Sequence, residues 1–510
     1  MSMESLKSAY EELLKRYRDL AILNSAAGLL RWDMRTMMPP SGVSLRSEQL
    51  SLLERLIHRM ATDPDVGKLL KEVMGHPGFE SLSDVERRNV ELIKKTYDEA
   101  TALPEELVAE TAKQRAITVS VWEKAKAARD YEPFKPELGK LLELRKKAAE
   151  LLMEVKGTKT PYDALIDIYE PKMTAEEIDK VFRELKSGLV RLIDKCLSSE
   201  QPRIDFLHRA VPIDVQRGVS RAIAEFVGYD VWSEEAWGRI DESEHPFTSG
   251  YYVDIRITTH YYEDAFYKSV FSVLHECGHA LYDHNLPEEW RYQPVGEACS
   301  MGFHESQSRF VENIVGRSHE FWSYFYPKLR KMIGVLDDVE LQDFVRAVNI
   351  VKPGKIRVDA DEVTYGLHII IRFELEKALF EDRVDVEELP EVWNERYEKY
   401  LGVEIEHPSE GVMQDIHWAS GSYGYFPSYA LGNIIGGQLL SVMERELPDW
   451  RERVEAGSFK EVREWLRMHV HRYGNLYDPP RLIEVATGSP LRVEPFLRYL
   501  EEKYSKLYGF

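Results

Sequence analysis

The sequence predicts a mainly α-helical fold with one small β-sheet. Apolar residues recur in steps of three and four along most of the chain, which is the spacing of one face of an α-helix. Only one segment alternates apolar and polar residues with the period of two that a β-strand requires. No linker rich in Gly, Pro or Ser and no internal repeat divides the 510 residues. We therefore expect one large helical body that forms a single domain, residues 1–510.

Helical spacing is clearest near the N-terminus. An apolar stripe there consists of Leu6, Tyr10, Leu13, Tyr17 and Leu20. Two consecutive prolines, Pro39 and Pro40, cannot continue a helix, so this helical region is expected to end before them. The same spacing returns much later in the chain at Ile371, Leu375 and Leu379.

The predicted strand covers residues 251–258. Its odd-numbered positions are apolar, and Asp254, Arg256 and Thr258 alternate with them. Alternate residues of a strand point to the same face of a sheet, so these three side chains are expected on one face. The strand precedes the segment in which two histidines are spaced for metal binding.

Composition excludes some classes of protein. The chain has 67 Lys and Arg against 88 Asp and Glu, a net charge of −21, whereas a nucleic-acid partner requires a surplus of cations. Three cysteines (Cys196, Cys277 and Cys299) are too few for a disulfide framework, which favours a reducing cytoplasm. No stretch approaches the roughly 18 consecutive apolar residues of a membrane span. The abundance of Glu, Lys and Arg is compatible with a thermophilic source.

The segment His275-Glu276-Cys277-Gly278-His279 has the spacing of a metal-binding helix. Residues 271–283 read as a helix without proline, so His275 and His279 are expected on one face, where both can bind one ion. Glu276 can then reach a water at the metal without being a ligand. Zinc lowers the pKa of such a water to about 7, and a carboxylate base can take its proton. The alternative is a pair of helix histidines with ordinary hydrogen bonds.

A third ligand is needed for a catalytic zinc site, and it is commonly a downstream carboxylate. Glu297, Glu305 and Glu312 all lie within reach along the chain. Glu305 could equally be the ion-pair partner of Arg309, four residues later. Spacing alone does not choose between the three glutamates.

Six motifs in order give the chain a resemblance to the carboxypeptidase Taq family of thermostable HEXXH metallocarboxypeptidases. The resemblance spans nearly the whole chain. The motifs are His245-Pro246-Phe247, Asp254-Ile255-Arg256-Ile257-Thr258, the HECGH segment, His304-Glu305-Ser306-Gln307, Ile356-Arg357-Val358-Asp359-Ala360-Asp361 and Gly411-Val412-Met413-Gln414-Asp415-Ile416-His417-Trp418.

The resemblance implies His275, His279 and Glu305 as ligands of one divalent metal, with Glu276 as the catalytic base. Zinc is the expected ion, although such nitrogen and oxygen ligands also accept cobalt and manganese. The resemblance further implies a deep active-site groove, release of single amino acids from peptide C-termini, and a homodimer. The N-terminal helices, about residues 1–130, are expected to cover the groove as a lid.

Recognition of a free terminal carboxylate suits arginine, whose planar head forms two parallel hydrogen bonds. Arg357 is the first candidate and Arg256 the second. Either could instead form an ion pair with a neighbouring acid, Asp359 or Asp254 respectively. His245 could help to bind the carboxylate or could simply hold its loop.

The tetrahedral intermediate needs donors near its developing negative oxygen. By analogy with related helical HEXXH peptidases, we expect His417 to supply one, together with Tyr423 or Tyr425. The alternative for these rings is a packed aromatic cluster. Asp283 could orient His279, although a solvated carboxylate is the favoured interpretation.

The sequence therefore predicts a metallocarboxypeptidase of broad specificity. One alternative is an endo-acting metallo-oligopeptidase, which would share the metal chemistry but would also cut peptides with amidated C-termini. The other is a non-catalytic helical binding protein stabilised by a metal. A purely structural site has no need for a carboxylate at Glu276, which argues against that second alternative.

Overall fold

Helices dominate the computed structural model, which describes residues 3–510. Before the sheet the chain forms α1 (Met3–Thr36), α2 (Val43–Ala61), α3 (Pro64–Met74), α4 (Asp84–Ala102), α5 (Glu105–Ala128), α6 (Lys135–Lys156), α7 (Pro161–Tyr169), α8 (Ala175–Leu197) and α9 (Ile213–Val227). The strands are β1 (Gly238–Glu242), β2 (Thr248–Tyr251) and β3 (Asp254–Thr259). After them come α10 (Phe266–His284), α11 (Met301–Arg309), α12 (His319–Ile333), α13 (Leu341–Val348), α14 (Tyr365–Phe380), α15 (Leu389–Leu401), α16 (Phe426–Glu446), α17 (Trp450–Glu455), α18 (Lys460–His469), α19 (Pro479–Thr487) and α20 (Glu494–Tyr508). The mainly α prediction is confirmed.

Local signals define several helix ends. Helix α1 ends at Thr36, before Pro39 and Pro40, as the sequence predicts. Helix α7 begins after Thr160, whose hydroxyl accepts a hydrogen bond from the backbone N–H of Asp163 while the Asp163 carboxylate binds the N–H of Thr160. This reciprocal capping satisfies two of the backbone donors that a helix start leaves unpaired.

The predicted single strand over residues 251–258 is wrong in one respect, because the chain reverses inside it. Strand β2 ends at Tyr251 and β3 begins at Asp254, and the two pair antiparallel across a two-residue turn. Tyr252 enters this turn with a φ of +54°. Such a conformation is uncommon outside glycine, and periodicity carries no signal for it. The apolar alternation continues through the turn and so reads as one strand.

The sheet has the order β1-β3-β2, so β2 forms an edge. The central strand β3 pairs parallel with β1 and antiparallel with β2. Its residues Ile255 and Ile257 are fully buried and belong to the hydrophobic cluster that surrounds α10. The sheet therefore lies next to the HECGH helix, as expected.

Three hydrophobic clusters hold the described residues together. The first surrounds α10 and the sheet and includes α9, α12 and α13. The second joins α6, α8, α14 and α15. The third is much smaller and draws its buried residues from α1, α3, α4 and the turn before α4. The residues of α16 contribute to both large clusters, so this helix connects them.

Two glycines allow the central helices to approach closely. A Cβ on Gly278 of α10 would lie 2.5 Å from the Cα of Ser308 in α11. A Cβ on Gly432 of α16 would lie 2.7 Å from the Cβ of Glu305. Helix α11 is therefore held between α10 and α16, and it continues directly into a π-helical segment, Phe310–Val315.

Among the helices of residues 3–510, none combines the length and the apolar character that crossing a bilayer requires.

Candidate metal centre and active site

Three side chains form a potential metal triad. His275 and His279 lie one turn apart on α10, and Glu305 comes from α11. The Nε2 atoms of the two histidines lie 3.6 Å and 3.4 Å from Oε2 of Glu305. One ligand atom from each residue falls within 4.8 Å of the other two. Such spacing allows a single ion to contact all three atoms.

The other two glutamates that sequence spacing left open lie elsewhere. Glu297 accepts a hydrogen bond from the hydroxyl of Tyr17 in the N-terminal helix. Glu312, on the π-helical segment, lies behind His275 instead of beside the triad, with its Oε2 atom 2.9 Å from Nδ1. Of the three candidates, only Glu305 joins both histidines.

Each triad histidine is held by its second ring nitrogen. Nδ1 of His275 donates a hydrogen bond to Glu312. The Nδ1 atoms of His279 and His304 lie 2.6 Å apart, and Nε2 of His304 lies 3.0 Å from Asp283. With His304 donating to Asp283, its Nδ1 accepts the proton of His279. With these tautomers, both triad histidines present an unprotonated Nε2, which is the form a metal binds.

The sequence favoured a solvated carboxylate at Asp283, but the carboxylate instead contacts His304. It acts on the triad through His304, which belongs to the HESQ motif. Nothing in the spacing of the sequence points to this chain of contacts, because α11 must first pack on α10 to bring the two histidines together.

The guanidinium of Arg309 organises the two carboxylates. Its Nε donates to Oε1 of Glu305 at 2.7 Å, and Nη1 lies 3.4 Å from Glu312. Although burial opposes ionisation of Glu305, the guanidinium of Arg309 holds the pKa of that carboxyl well below its usual range. Glu305 therefore remains an anion with Oε2 directed to the histidines. The ion pair that the sequence offered as an alternative to metal binding uses Oε1 and leaves Oε2 beside the two histidines.

The triad fits a divalent metal. It supplies two imidazole nitrogens and one carboxylate oxygen, which are the ligand types of open catalytic zinc sites. Each ligand is fixed from behind by a polar partner, a general feature of such centres. Glu305 is only 5% exposed, and burial of this kind strengthens electrostatic attraction to a cation.

Glu276 follows His275 on α10 but does not enter the triad. Its Oε2 accepts a hydrogen bond of 2.6 Å from the hydroxyl of Thr248 on the edge strand β2. Burial raises the pKa of the Glu276 carboxyl. A carboxylate with a raised pKa beside a metal triad has the character of a proton acceptor in catalysis. Thr248 was not singled out from the sequence.

His417 lies in an aromatic cluster with Tyr425, Phe426 and Tyr429. Its Nε2 is 3.2 Å from the hydroxyl of Tyr429. Burial, reinforced by the cations of Arg357 and Arg372, lowers the pKa of His417 to about 3. The imidazole is therefore neutral at physiological pH, and one of its nitrogens carries a proton that it can donate.

The two tyrosines paired with His417 in the sequence analysis have different surroundings. Tyr425 is partly exposed, and burial together with the nearby charge of Glu305 raises the pKa of its phenol. Tyr423 is fully buried and packs edge-to-face on Phe380. The structure therefore brings Tyr425 towards the metal triad and leaves Tyr423 in the core. Gly424 lies between them with a φ of +85°, a backbone conformation that favours glycine.

Tyr429 also joins this cluster, although the sequence favoured Tyr423 or Tyr425 among the tyrosines of this stretch. It contacts His417, and burial followed by the charge of Tyr425 raises the pKa of its phenol, with Glu305 also contributing. The only available signal was its position four residues after Tyr425, which places both rings on the same face of the first turn of α16.

Arg357 is buried in a shared ion pair. Its Nε and Nη2 donate to one oxygen of Asp415 at 3.0 Å and 2.8 Å, and Arg372 binds the other oxygen. Nη1 of Arg357 contacts the hydroxyl of Tyr365 at 3.2 Å. The acid expected to neutralise Arg357 was Asp359, which instead pairs with Lys268. Two guanidiniums on one carboxylate leave a surplus positive charge in this buried region.

The remaining two substrate-binding candidates lie apart from the triad. Arg256 donates twice to Asp254 and stacks over Trp32 of α1 at 4.4 Å. The ion-pair alternative therefore describes Arg256 correctly. His245 is exposed in the connection between β1 and β2, and its side chain makes no hydrogen bond with residues 3–510. Neither side chain joins the group around Arg357.

Comparisons with known proteins match this site and this fold. Residues 12–504 match the sequence model of the family described as carboxypeptidase Taq (M32) metallopeptidase. The chain belongs to the carboxypeptidase Taq family. It is 44% identical to thermostable carboxypeptidase 1 of Thermus thermophilus, with 99% of each chain covered. It is 38% identical to carboxypeptidase 1 of Bacillus subtilis over the whole of both chains.

Solved structures of the family have the same fold. The M32 carboxypeptidase from Deinococcus radiodurans superposes with a TM-score of 0.94 at 35% identity, covering 99% of this chain and 100% of that one. A carboxypeptidase structure from Pyrococcus furiosus gives a TM-score of 0.93 at 36% identity, covering 97% and 99%. The chain is thus a metal-dependent carboxypeptidase that acts on peptides.

Proposed function

We propose that this carboxypeptidase uses one zinc ion held by His275, His279 and Glu305, and that Glu276 is its general base. The observation that carries this proposal is the triad itself, with each histidine fixed through Nδ1 and the acid adjacent but outside. When bound, the ion would polarise the peptide carbonyl and make a water acidic enough to be deprotonated. Cobalt or manganese would suit the same ligands.

Glu276 would take the proton of the attacking water and later deliver it to the leaving amine. Its carboxylate is anchored on one oxygen by Thr248, so the other oxygen is directed at one position. This anchoring supports a base that needs no reorientation between the two proton transfers. The raised pKa of the group favours the first transfer, because it makes the carboxylate a better proton acceptor.

Arg357 would bind the terminal carboxylate of the peptide. The cluster of Arg357, Arg372 and Asp415 retains one surplus positive charge before any substrate arrives. A bound carboxylate would neutralise that charge, whereas an amidated terminus would leave it uncompensated. His417, together with Tyr425, would donate hydrogen bonds to the negative oxygen of the intermediate. His245 and Arg256 have less support, since each lies apart from this cluster.

Broader properties follow the same proposal. The three cysteines are free and buried, in keeping with a cytoplasmic enzyme. We further propose a homodimer of broad specificity. The enzyme would remain folded at high temperature, in keeping with its similarity to a thermostable carboxypeptidase of Thermus thermophilus. Residues 1–130 would act as a lid over the groove, supported by the separate small cluster of α1, α3 and α4.

The test is mass spectrometry of one unstructured peptide with either a free or an amidated C-terminus, incubated with zinc-loaded protein. We expect a ladder of single-residue losses from the free peptide only. Glu276→Gln should lower the rate by about 100-fold to 10,000-fold while zinc stays bound. Internal cuts in both peptides would reject the exopeptidase mechanism, and full activity of Glu276→Gln would reject its role as the base.

A further inference from the structure

A cavity of about 190 Å³ lies away from the metal triad, between α16, α20 and the start of α12. None of the triad residues lines it. The volume exceeds that of cavities known to admit a benzene-sized molecule, so a small organic ligand would fit. The cavity sits between residues of the two large hydrophobic clusters, where α16 connects them.

The wall of the cavity is apolar on one side. Ile314, Val345 and Leu440 are almost completely buried, and they line it together with Leu507. An aliphatic group placed against these side chains would be removed from water, which favours binding.

Charged side chains line the rest of the cavity, and most already have partners. Arg451 binds Glu444 at 2.8 Å, and Lys503 binds Glu362 at 2.6 Å. Arg498 forms an exposed pair with Glu494. These cations are satisfied, so their number alone does not indicate a ligand.

Two lining residues have no partner. The ammonium of Lys506 and the carboxylate of Glu502 form no hydrogen bond or ion pair with any residue of the range 3–510. They are four residues apart on α20 and therefore share a helix face. One free cation and one free anion thus border a cavity that has one apolar side, and the other charges around it are paired.

We propose that this cavity binds a free α-amino acid with an aliphatic side chain. Lys506 would bind the carboxylate, Glu502 the ammonium, and the apolar wall the side chain. The proposal rests on the proposed function for its biological meaning, since single amino acids are the products of a carboxypeptidase. The site would then report product concentration from a position outside the catalytic groove.

A path of contacts leads from the cavity to the metal triad. Arg317 lines the cavity, and its Nη2 donates to Glu312 at 3.2 Å. Glu312 in turn holds Nδ1 of His275. An amino acid that shifts Arg317 would therefore change the affinity for the metal, because it would change the support of His275. By thermodynamic linkage, metal binding would change the affinity for the amino acid by the same factor.

The experiment is isothermal titration of the full-length protein with L-leucine in the absence of peptide. We expect saturable binding with a dissociation constant below about 10 mM. Leucinamide, which lacks the carboxylate, and 4-methylpentanoate, which lacks the ammonium, should each bind at least about tenfold more weakly. Because no turnover is measured, failure here would be distinct from failure of the proposed catalytic mechanism.

Variants identify the site. Lys506→Glu and Glu502→Gln should each weaken L-leucine binding about tenfold or more. Lys399→Glu changes an exposed, unpaired lysine on α15 and should bind as the unchanged protein does. If Lys506→Glu binds L-leucine normally while Arg357→Met abolishes binding, the amino acid occupies the active site and the proposal is wrong. Absence of saturable binding in the unchanged protein would also overturn it.

Discussion

At the scale of single residues, the metal triad depends on proton positions as much as on distances. His275 and His279 expose Nε2 because Nδ1 is occupied by Glu312 in one case and by His304 in the other. Glu305 remains charged because Arg309 compensates for its burial. Each triad residue therefore has a partner that fixes the protonation state in which it would bind a metal. Loss of that partner should lower the affinity for the ion without removing a ligand.

Substitution of the three glutamates that sequence spacing left open as the third ligand tests this arrangement. Glu305→Gln should lower zinc affinity by more than about 100-fold, because a ligand is lost, and Glu312→Gln by about 10-fold to 100-fold, because only its support is lost. Glu297→Gln should leave affinity unchanged and serves as the matched control. Competition with a chromogenic chelator measures all three. Equal losses for Glu297→Gln and Glu305→Gln would contradict the assignment of the third ligand.

Glu170 shows how a buried acid can set the pH dependence of stability. It follows α7, and its Oε1 accepts hydrogen bonds from Ser428 and from the backbone N–H of Gly302 at the start of α11. Burial raises its pKa from 4.5 to about 7. Since the folded state binds the proton more tightly, the stabilisation is complete below the unfolded-state pKa and is lost as pH rises through about 7.

Replacement of Glu170 by Gln should remove this loss. Between about pH 5 and about pH 8, the stability of Glu170→Gln relative to the unchanged protein should rise by about 2 to 3 kcal/mol. Urea-induced unfolding at a series of pH values measures the difference. Glu398→Gln, at an exposed position on α15, is the control and should show no such trend. A difference that is constant with pH would mean that Glu170 does not titrate in this range.

At the scale of elements, the position of α11 between α10 and α16 brings the carboxylate to the histidines. The spacing of His275 and His279 is local to one helix, and the sequence predicted it correctly. Thr248 and His304 come from other elements, so their contacts arise only after packing. The hairpin turn at Tyr252 could not be predicted from periodicity, because its two residues reverse the chain without interrupting the alternation of apolar and polar residues.

Gly278 tests the packing of these elements. Gly278→Ala would place a methyl group 2.5 Å from the Cα of Ser308, and the backbone of α11 would have to move. We expect a loss of stability of about 1 to 3 kcal/mol and weaker zinc binding, because Glu305 moves with its helix. Gly28→Ala in α1 meets no atom within 4 Å and should be neutral or slightly stabilising. Thermal unfolding and chelator competition compare the two variants, and equal stability would contradict the close contact.

At the scale of the whole molecule, the N-terminal helices form the least integrated part of the described chain. Their small hydrophobic cluster is separate from the other two, and polar contacts connect it to the body. Arg88 binds Asp478 at 2.6 Å, and Asn89 binds Gln293 at 2.8 Å. Composition and periodicity predicted helices here but could not predict this division, which depends on which helices share apolar neighbours.

Native-state hydrogen exchange should detect the division. We expect α1, α3 and α4 to exchange through a lower-energy opening than α10, α11 and α16. Arg88→Ala should accelerate exchange in the N-terminal helices by about tenfold, since it removes a partly buried ion pair, and should leave α16 unaffected. Arg191→Ala, at an exposed position on α8, provides the control. Uniform exchange across the chain would argue against a lid that moves independently.

In the π-helical segment Phe310–Val315, the number of residues matters for function as much as their identity. A π-helix holds more residues in each turn than an α-helix, so deletion of one residue here would restore ordinary winding. A deletion before Glu312 would therefore change the angular position of its side chain about the helix axis. Glu312 would no longer face His275, although every ligand would still be encoded. For this stretch, a frame-preserving deletion is therefore more damaging than most substitutions, and homologous proteins can be compared by counting residues as well as by matching them.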